Sequence, residues 1–143
     1  MTRAVLDDHL LRDLLSGELS GGLAQVLTDH EPATTNLYFL RLCRSVVSAA
    51  GGALTGSWPA RARQALGRQL VSLPDDIEVV PVRTLAFRMA ELVDAFRLST
   101  LGAEAVAAAE HLAGPLCVWT GDDGPNIRSA MADLGANYRT VSR

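Results

Sequence analysis

The sequence predicts an α/β domain built around a mainly parallel sheet, and three observations lead there. Short β-prone runs alternate with longer stretches of helical apolar period. Hairpin signals are few. One late run, Leu116–Thr120 (LCVWT), is continuously apolar, as in a strand covered on both faces. The chain has 143 residues, 48% of them apolar and 20% charged. That length fits one domain spanning residues 1–143 and supplies a core, which excludes a disordered chain or a coiled coil.

The elements follow in order. Arg3–Leu6 (RAVL) is a brief β-prone run ending at Asp7. From Asp8 to Leu15, leucines at 10, 11, 14 and 15 make the stripe of an amphipathic helix. Leu19–Thr28 continues as a second helix with Leu19, Leu23, Val26 and Leu27 on one face. Pro32–Thr34 is a weak strand. Leu37–Ala49 is a strongly apolar helix that carries Arg41 and Arg44 three apart. Ser57-Trp58-Pro59 reads as a helix start capped by Ser57, running to about Val71. Ile77–Val80 is a β-branched strand, followed by a helix over Leu85–Arg97. Ser99 or Thr100 caps an alanine-rich helix over Ala103–Ala113, whose small residues suit a central position. Leu116–Thr120 is the fourth strand. Asp123–Leu134 is a helix closed by a left-handed Gly135, and Asn137–Val141 is the fifth strand. Right-handed crossovers would gather the strand C-termini on one edge, where open α/β sheets bind ligands.

Several classes fall away. No apolar run approaches the roughly 18 uncharged residues of a membrane span. Asp7 and Asp8 interrupt the stretch that a signal peptide needs apolar, so a cytoplasmic location is expected. The two cysteines, Cys43 and Cys117, have no metal or disulfide spacing. No 20–50-residue repeat, phosphate-binding glycine loop or nucleophile elbow is present.

The net charge of −3 conceals a division. Every one of the 13 basic residues is arginine. Residues 1–31 sum to −4, residues 75–143 to −4, and residues 32–74 hold Arg41, Arg44, Arg61, Arg63 and Arg68 with no acid at all. An all-arginine chain reflects a GC-rich codon bias. The acid-free middle is either a solvated helix face or a phosphate-binding surface, since guanidinium groups grip phosphate oxygens bidentately.

Asp7 stands at the end of the first strand, and Thr120, Asp122 and Asp123 at the end of the fourth. Carboxylates converging from distant segments assemble Mg²⁺ or Mn²⁺ sites. The competing reading makes them helix caps, Asp8 for the first helix and Asp122 or Asp123 for the last. His9, His30 and His111 share no metal spacing, although His9 adjoins Asp7 and Asp8. Trp119 lies within a strand, and Trp58 in a turn.

VLDDHLL, PATTNLYFLRLCR, RLSTLGAEAVAAA, LCVWTGDD and the closing NYRTV, in this order, resemble a PIN domain, the fold of VapC-type bacterial toxin ribonucleases. The likeness covers nearly the whole chain and rests on the order of weak motifs. It implies a three-layer α/β/α domain with a five-stranded sheet. It also implies single-stranded RNA as substrate, Mg²⁺ or Mn²⁺ held by three or four acids, an antitoxin-like protein partner and a homodimer. Asp7 and Asp122 match two of the acids and so become the candidate catalytic and metal-binding pair. The other two matches fail. Gly102 stands where the family has Asp, and the stretch Tyr38–Leu42 offers Arg41 where the family has Glu. Asp8, Asp123 and Glu104 are the candidate substitutes. Glu104 lies two positions beyond Gly102, roughly 200° round a helix, and so is expected to face away. Arg41, Arg44, Arg61, Arg63 and Arg68 are the candidate RNA-binding residues. Two functions remain in view: a metal-dependent endoribonuclease with an eroded site, and a non-catalytic binding or regulatory protein on the same fold.

Overall fold

The strands alternate in what they bury, and this alternation sets the layers. In the computed structural model, which describes residues 1–48 and 52–143, β1 (Arg3–Leu6) sends Ala4 and Leu6 to one core and Val5 to another. The order continues α1 (Asp8–Ser16), α2 (Gly21–Asp29), β2 (Glu31–Thr35), α3 (Asn36–Val47), α4 (Gly52–Thr55), α5 (Ala60–Val71), β3 (Glu78–Val80), α6 (Val82–Ala95), α7 (Thr100–Leu112), β4 (Leu116–Trp119), a 3₁₀ turn at Thr120–Asp122, α8 (Pro125–Asp133) and β5 (Tyr138–Val141). The expected fold class is observed. All strand pairs are parallel and form one five-stranded sheet in the order β3-β2-β1-β4-β5.

One face of the sheet packs on α6, α7 and α8 through Leu85, Met89, Leu92, Val106 and Met131. The other packs on α1 and α2 through Leu10, Leu23 and Val26. A third cluster joins α1, α3 and α5 through Leu11, Leu15, Leu42, Leu66 and Leu70. The small residues of α7 have the predicted consequence: every residue from Gly102 to Ala109 is buried. Among the described residues no helix is long and apolar enough to cross a membrane.

Leu19, expected on the apolar face of the second helix, lies outside α2 and is exposed, because Ser20 caps the helix one residue later. The other local expectations that fail concern caps. Ser57 does not cap α5; Pro59 occupies that position without a side-chain bond, and the helix opens at Ala60. Asp7 caps α1 in place of Asp8, because the helix already begins at Asp8 and the extended residue before it takes the cap. Neither Asp122 nor Asp123 caps α8, which starts after Gly124 with Pro125 in its first turn. The predicted end of the third helix at Ala49 lies outside the described residues.

Arg63 also departs from a free phosphate-binding role. Its Nη2 donates to the Val46 carbonyl at 3.1 Å and to the Ser48 carbonyl, closing the C-terminus of α3. Arg63→Ala is therefore expected to cost about 1.5 kcal/mol in urea unfolding, the lower end of the usual range for hydrogen bonds from a charged donor because Arg63 is half-buried. Exposed Arg61 should cost less than about 0.5 kcal/mol on the same substitution.

Candidate functional site

The chain leaves β1 outward to β2 and β3, then returns to place β4 beside β1. This reversal makes the C-terminal edge between β1 and β4 the topological switch point of the sheet, the usual place for ligands in such folds. Asp7 follows β1 and Asp122 closes the turn after β4, so the two predicted acids do arrive at the same edge.

Asp7 is almost wholly buried, and both its oxygens are occupied. Oδ1 accepts from the Leu10 N–H at 2.9 Å, capping α1, and Oδ2 accepts from the Trp119 N–H at 3.0 Å, across from β4. Its own N–H donates to the Cys117 carbonyl at 3.1 Å. The side chain thus extends the β1–β4 ladder by one step and starts the helix. Burial pushes its carboxyl up to about 7; the Leu10 N–H opposes the shift, and the Asp8 and Asp122 charges add to it.

Asp8 is fully buried. Its Oδ1 accepts from the His9 N–H at 3.0 Å, and its Oδ2, which has no hydrogen-bond partner, lies 3.3 Å from the Arg41 Nε. Burial raises this carboxyl too, against the pull of Arg41. His9 Nε2 lies 3.1 Å from Asp122 Oδ2. The ring rests against Trp119 at 4.5 Å between centroids, and its Nδ1 is 2.9 Å from Arg143 Nη2. Burial lowers the imidazole pKa, while Asp122 draws it upward and Arg12 and Arg41 lower it further. The indole of Trp119 lies over Gly121, where a Cβ would stand 2.3 Å from the ring.

Ligand atoms of Asp8, His9 and Asp122 all lie within 4.8 Å of one another. Asp7 is not in this group, and Asp123 is engaged elsewhere, by Arg128 at 2.7 Å and the Tyr138 hydroxyl at 2.7 Å. Glu104, expected to face away from the acids, is not in this group either. It is fully buried, and Oε1 accepts from the Leu37 N–H at 2.9 Å, capping α3 beside Thr35. Gly102 is filled from the opposite direction, since a Cβ there would meet Ile127 Cγ1 at 3.2 Å.

The residues therefore do not fit the paired Mg²⁺ or Mn²⁺ ions of a PIN nuclease. Such a centre needs several carboxylates free to bind hydrated cations. Gly102, under Ile127, and the cationic Arg41 stand where the resemblance would call for acids, and Asp7 is committed to two backbone N–H groups.

Sequence reasoning missed Arg143, Arg12 and Asp13. Arg143 Nε lies 3.1 Å from Asp13 Oδ2, and its guanidinium stands 4.7 Å above Trp119. Asp13 is also bonded by Arg12 at 2.8 Å, and Arg12 stands 5.6 Å over Trp58. No local signal connects residues 130 positions apart. Of the predicted RNA-binding residues, Arg41 reaches the site itself, Arg61 and Arg68 are exposed on α5, and Arg44 is exposed on α3.

Neither a family model nor any curated protein matches this sequence.

Proposed function

We propose that the chain is a PIN-like domain of the metal-dependent single-stranded-RNA endonuclease lineage whose acidic centre is neutralised from within, and that it binds RNA without cutting it. One observation carries this reading: each acid at the sheet edge has an internal partner. Asp7 has two backbone N–H groups, Asp8 has Arg41, and Asp122 has His9. A carboxylate set so engaged holds its own charge balance and has little left for a hydrated Mg²⁺. Arg44, Arg61 and Arg68, on helices without a single acid, supply a surface for phosphates.

The test is binding and cleavage of a labelled single-stranded RNA. Binding should weaken with salt. Replacing Arg44, Arg61 and Arg68 by Ala together should flatten the slope of log K against log salt by about 2, near 0.7 for each single-strand phosphate no longer neutralised. No cleavage is expected at millimolar Mg²⁺ or Mn²⁺. Metal-dependent cleavage that Asp7→Asn abolishes would restore the enzyme reading, and an unchanged slope would remove the arginine surface.

A second reading has its own observation. Between α3 and α5 runs an apolar groove of about 800 Å³ lined by Phe39, Cys43, Val46, Val47, Leu70 and Val71. Val47 is 85% and Val71 88% exposed. Such patches mark protein contacts, which favours an antitoxin-like partner or a second copy of this chain. A monomeric mass by light scattering at micromolar concentration would dispose of the homodimer.

A further inference from the structure

The contact between Arg143 and His9 fixes a proton. A guanidinium only donates, so His9 Nδ1, 2.9 Å from Arg143 Nη2, must be the accepting, unprotonated nitrogen. In the neutral ring the proton then sits on Nε2, where it donates to Asp122 Oδ2 at 3.1 Å. That proton occupies the lone pair a metal would use. The spacing around it is otherwise that of a ligand set. Zinc binds His nitrogen and carboxylate oxygen at about 2.0–2.1 Å, which puts neighbouring tetrahedral ligands about 3.3 Å apart. His9 and Asp122 stand near that separation, and a carboxylate oxygen of Asp8 lies within the same 4.8 Å cluster. Asp8 Oδ2 is buried and makes no hydrogen bond; its ionic partner is Arg41.

We propose that Asp8, His9 and Asp122 form a latent site for one borderline divalent cation such as Zn²⁺, held shut by Arg143, whose guanidinium keeps His9 in the tautomer that cannot ligate. Opening requires Arg143 to leave its seat between Asp13, Trp119 and His9. The Nε2 proton is then lost to solvent while Nδ1 takes one up, so the ring stays neutral and Nε2 is freed. Imidazole, unlike carboxylate, selects Zn²⁺, Co²⁺ or Ni²⁺ over Mg²⁺. The cation differs from that of a PIN nuclease, and the ligand set adds His9 and leaves out Asp7; the site stands whether or not RNA binds.

The experiment is Co²⁺ titration of the full chain followed by visible absorption, with Zn²⁺ competition. Long-range ¹⁵N NMR of the His9 ring accompanies it. The wild-type ring should show the proton on Nε2 and weak Co²⁺ binding. Arg143→Ala should tighten binding at least about tenfold, the usual reach of a group that orients a ligating histidine. Arg143→Lys, which keeps charge and donor, should remain weak. His9→Gln in the Arg143→Ala background should abolish the cobalt absorption. Arg41→Ala removes a charge beside Asp8 without touching the ring and should gain less than Arg143→Ala. Circular dichroism confirms that each variant is folded. The inference is overturned by a wild-type ring protonated on Nδ1, by no gain in Arg143→Ala, by an equal gain in Arg41→Ala, or by binding that survives the loss of His9.

Discussion

Asp7→Ala is expected to lower the unfolding free energy by about 3 kcal/mol at pH 5.5, whatever the protein binds. The substitution removes a helix cap, typically about 1 kcal/mol. It also strands the Leu10 and Trp119 N–H groups, and each unsatisfied buried donor costs about 1–3 kcal/mol. Both bonds start from one buried carboxyl, so the effects overlap and their sum is an upper bound. A catalytic role alone would leave stability nearly untouched. Urea unfolding decides the matter: a loss below about 0.5 kcal/mol, the scatter of ordinary surface changes, would mean that Asp7 does not hold β4 to α1.

The same residue gives the protein a pH signature. Its carboxyl sits at about 7 when folded against an ordinary value of 3.8. Between those values the folded chain keeps a proton that the unfolded chain has released. Asp7's contribution is thus fully present below 3.8 and is lost as pH rises through 7. The loss is on the order of 4 kcal/mol from that shift. His9 acts in the opposite direction: its lowered pKa favours the neutral ring, so its contribution is present above the ordinary 6.5 and is lost as pH falls. Asp7→Asn separates the two. Its deficit relative to wild type should shrink between pH 5 and pH 8, because only the wild type then has a buried carboxylate to ionise. Parallel curves for the two proteins would contradict the assignment.

Much of the fold was legible because hydrophobic burial wrote it locally. LCVWT reads as a strand covered on both faces, and β4 lies between cores fed by Leu116 and Val118 on one side and Cys117 on the other. The alanine run reads as central, and α7 is. Asp7 and Asp122 were legible at the sheet edge because each follows a readable strand; Arg41, in the middle of α3, came to notice only through the resemblance. The misplaced caps reflect single-residue choices that neighbouring polar residues make nearly equal in energy; Asp7 and Asp8 can each begin a helix, and the reach of β1 decides. Arg143 was illegible because its partners, Asp13, Trp119 and His9, lie far away in sequence and nothing in a lone arginine names them. Helix geometry set Glu104 apart from the acids, and it is not in their cluster; its burial and its bond to Leu37 were illegible, because α7 has no solvent side there and the partner lies 67 residues away.

Glu104 yields the second large effect, and it divides by substitution. Glu104→Ala should cost about 2–3 kcal/mol: the Leu37 N–H loses its acceptor, and a fully enclosed side chain is replaced by a partial cavity. Glu104→Gln should stay within about 1 kcal/mol of wild type, since its amide oxygen can still accept from Leu37 while the buried charge disappears. The reason lies in Oε2, which is buried without any hydrogen-bond partner. A carboxylate held by one N–H gains from that bond and from the positive end of α3, but bears the desolvation of its second oxygen. Removing charge alone should therefore be nearly neutral, and removing volume and acceptor together should not. If Gln and Ala prove equally damaging, the negative charge itself is what the site needs, and Glu104 belongs to the charge balance of the sheet edge as well as to the cap of α3.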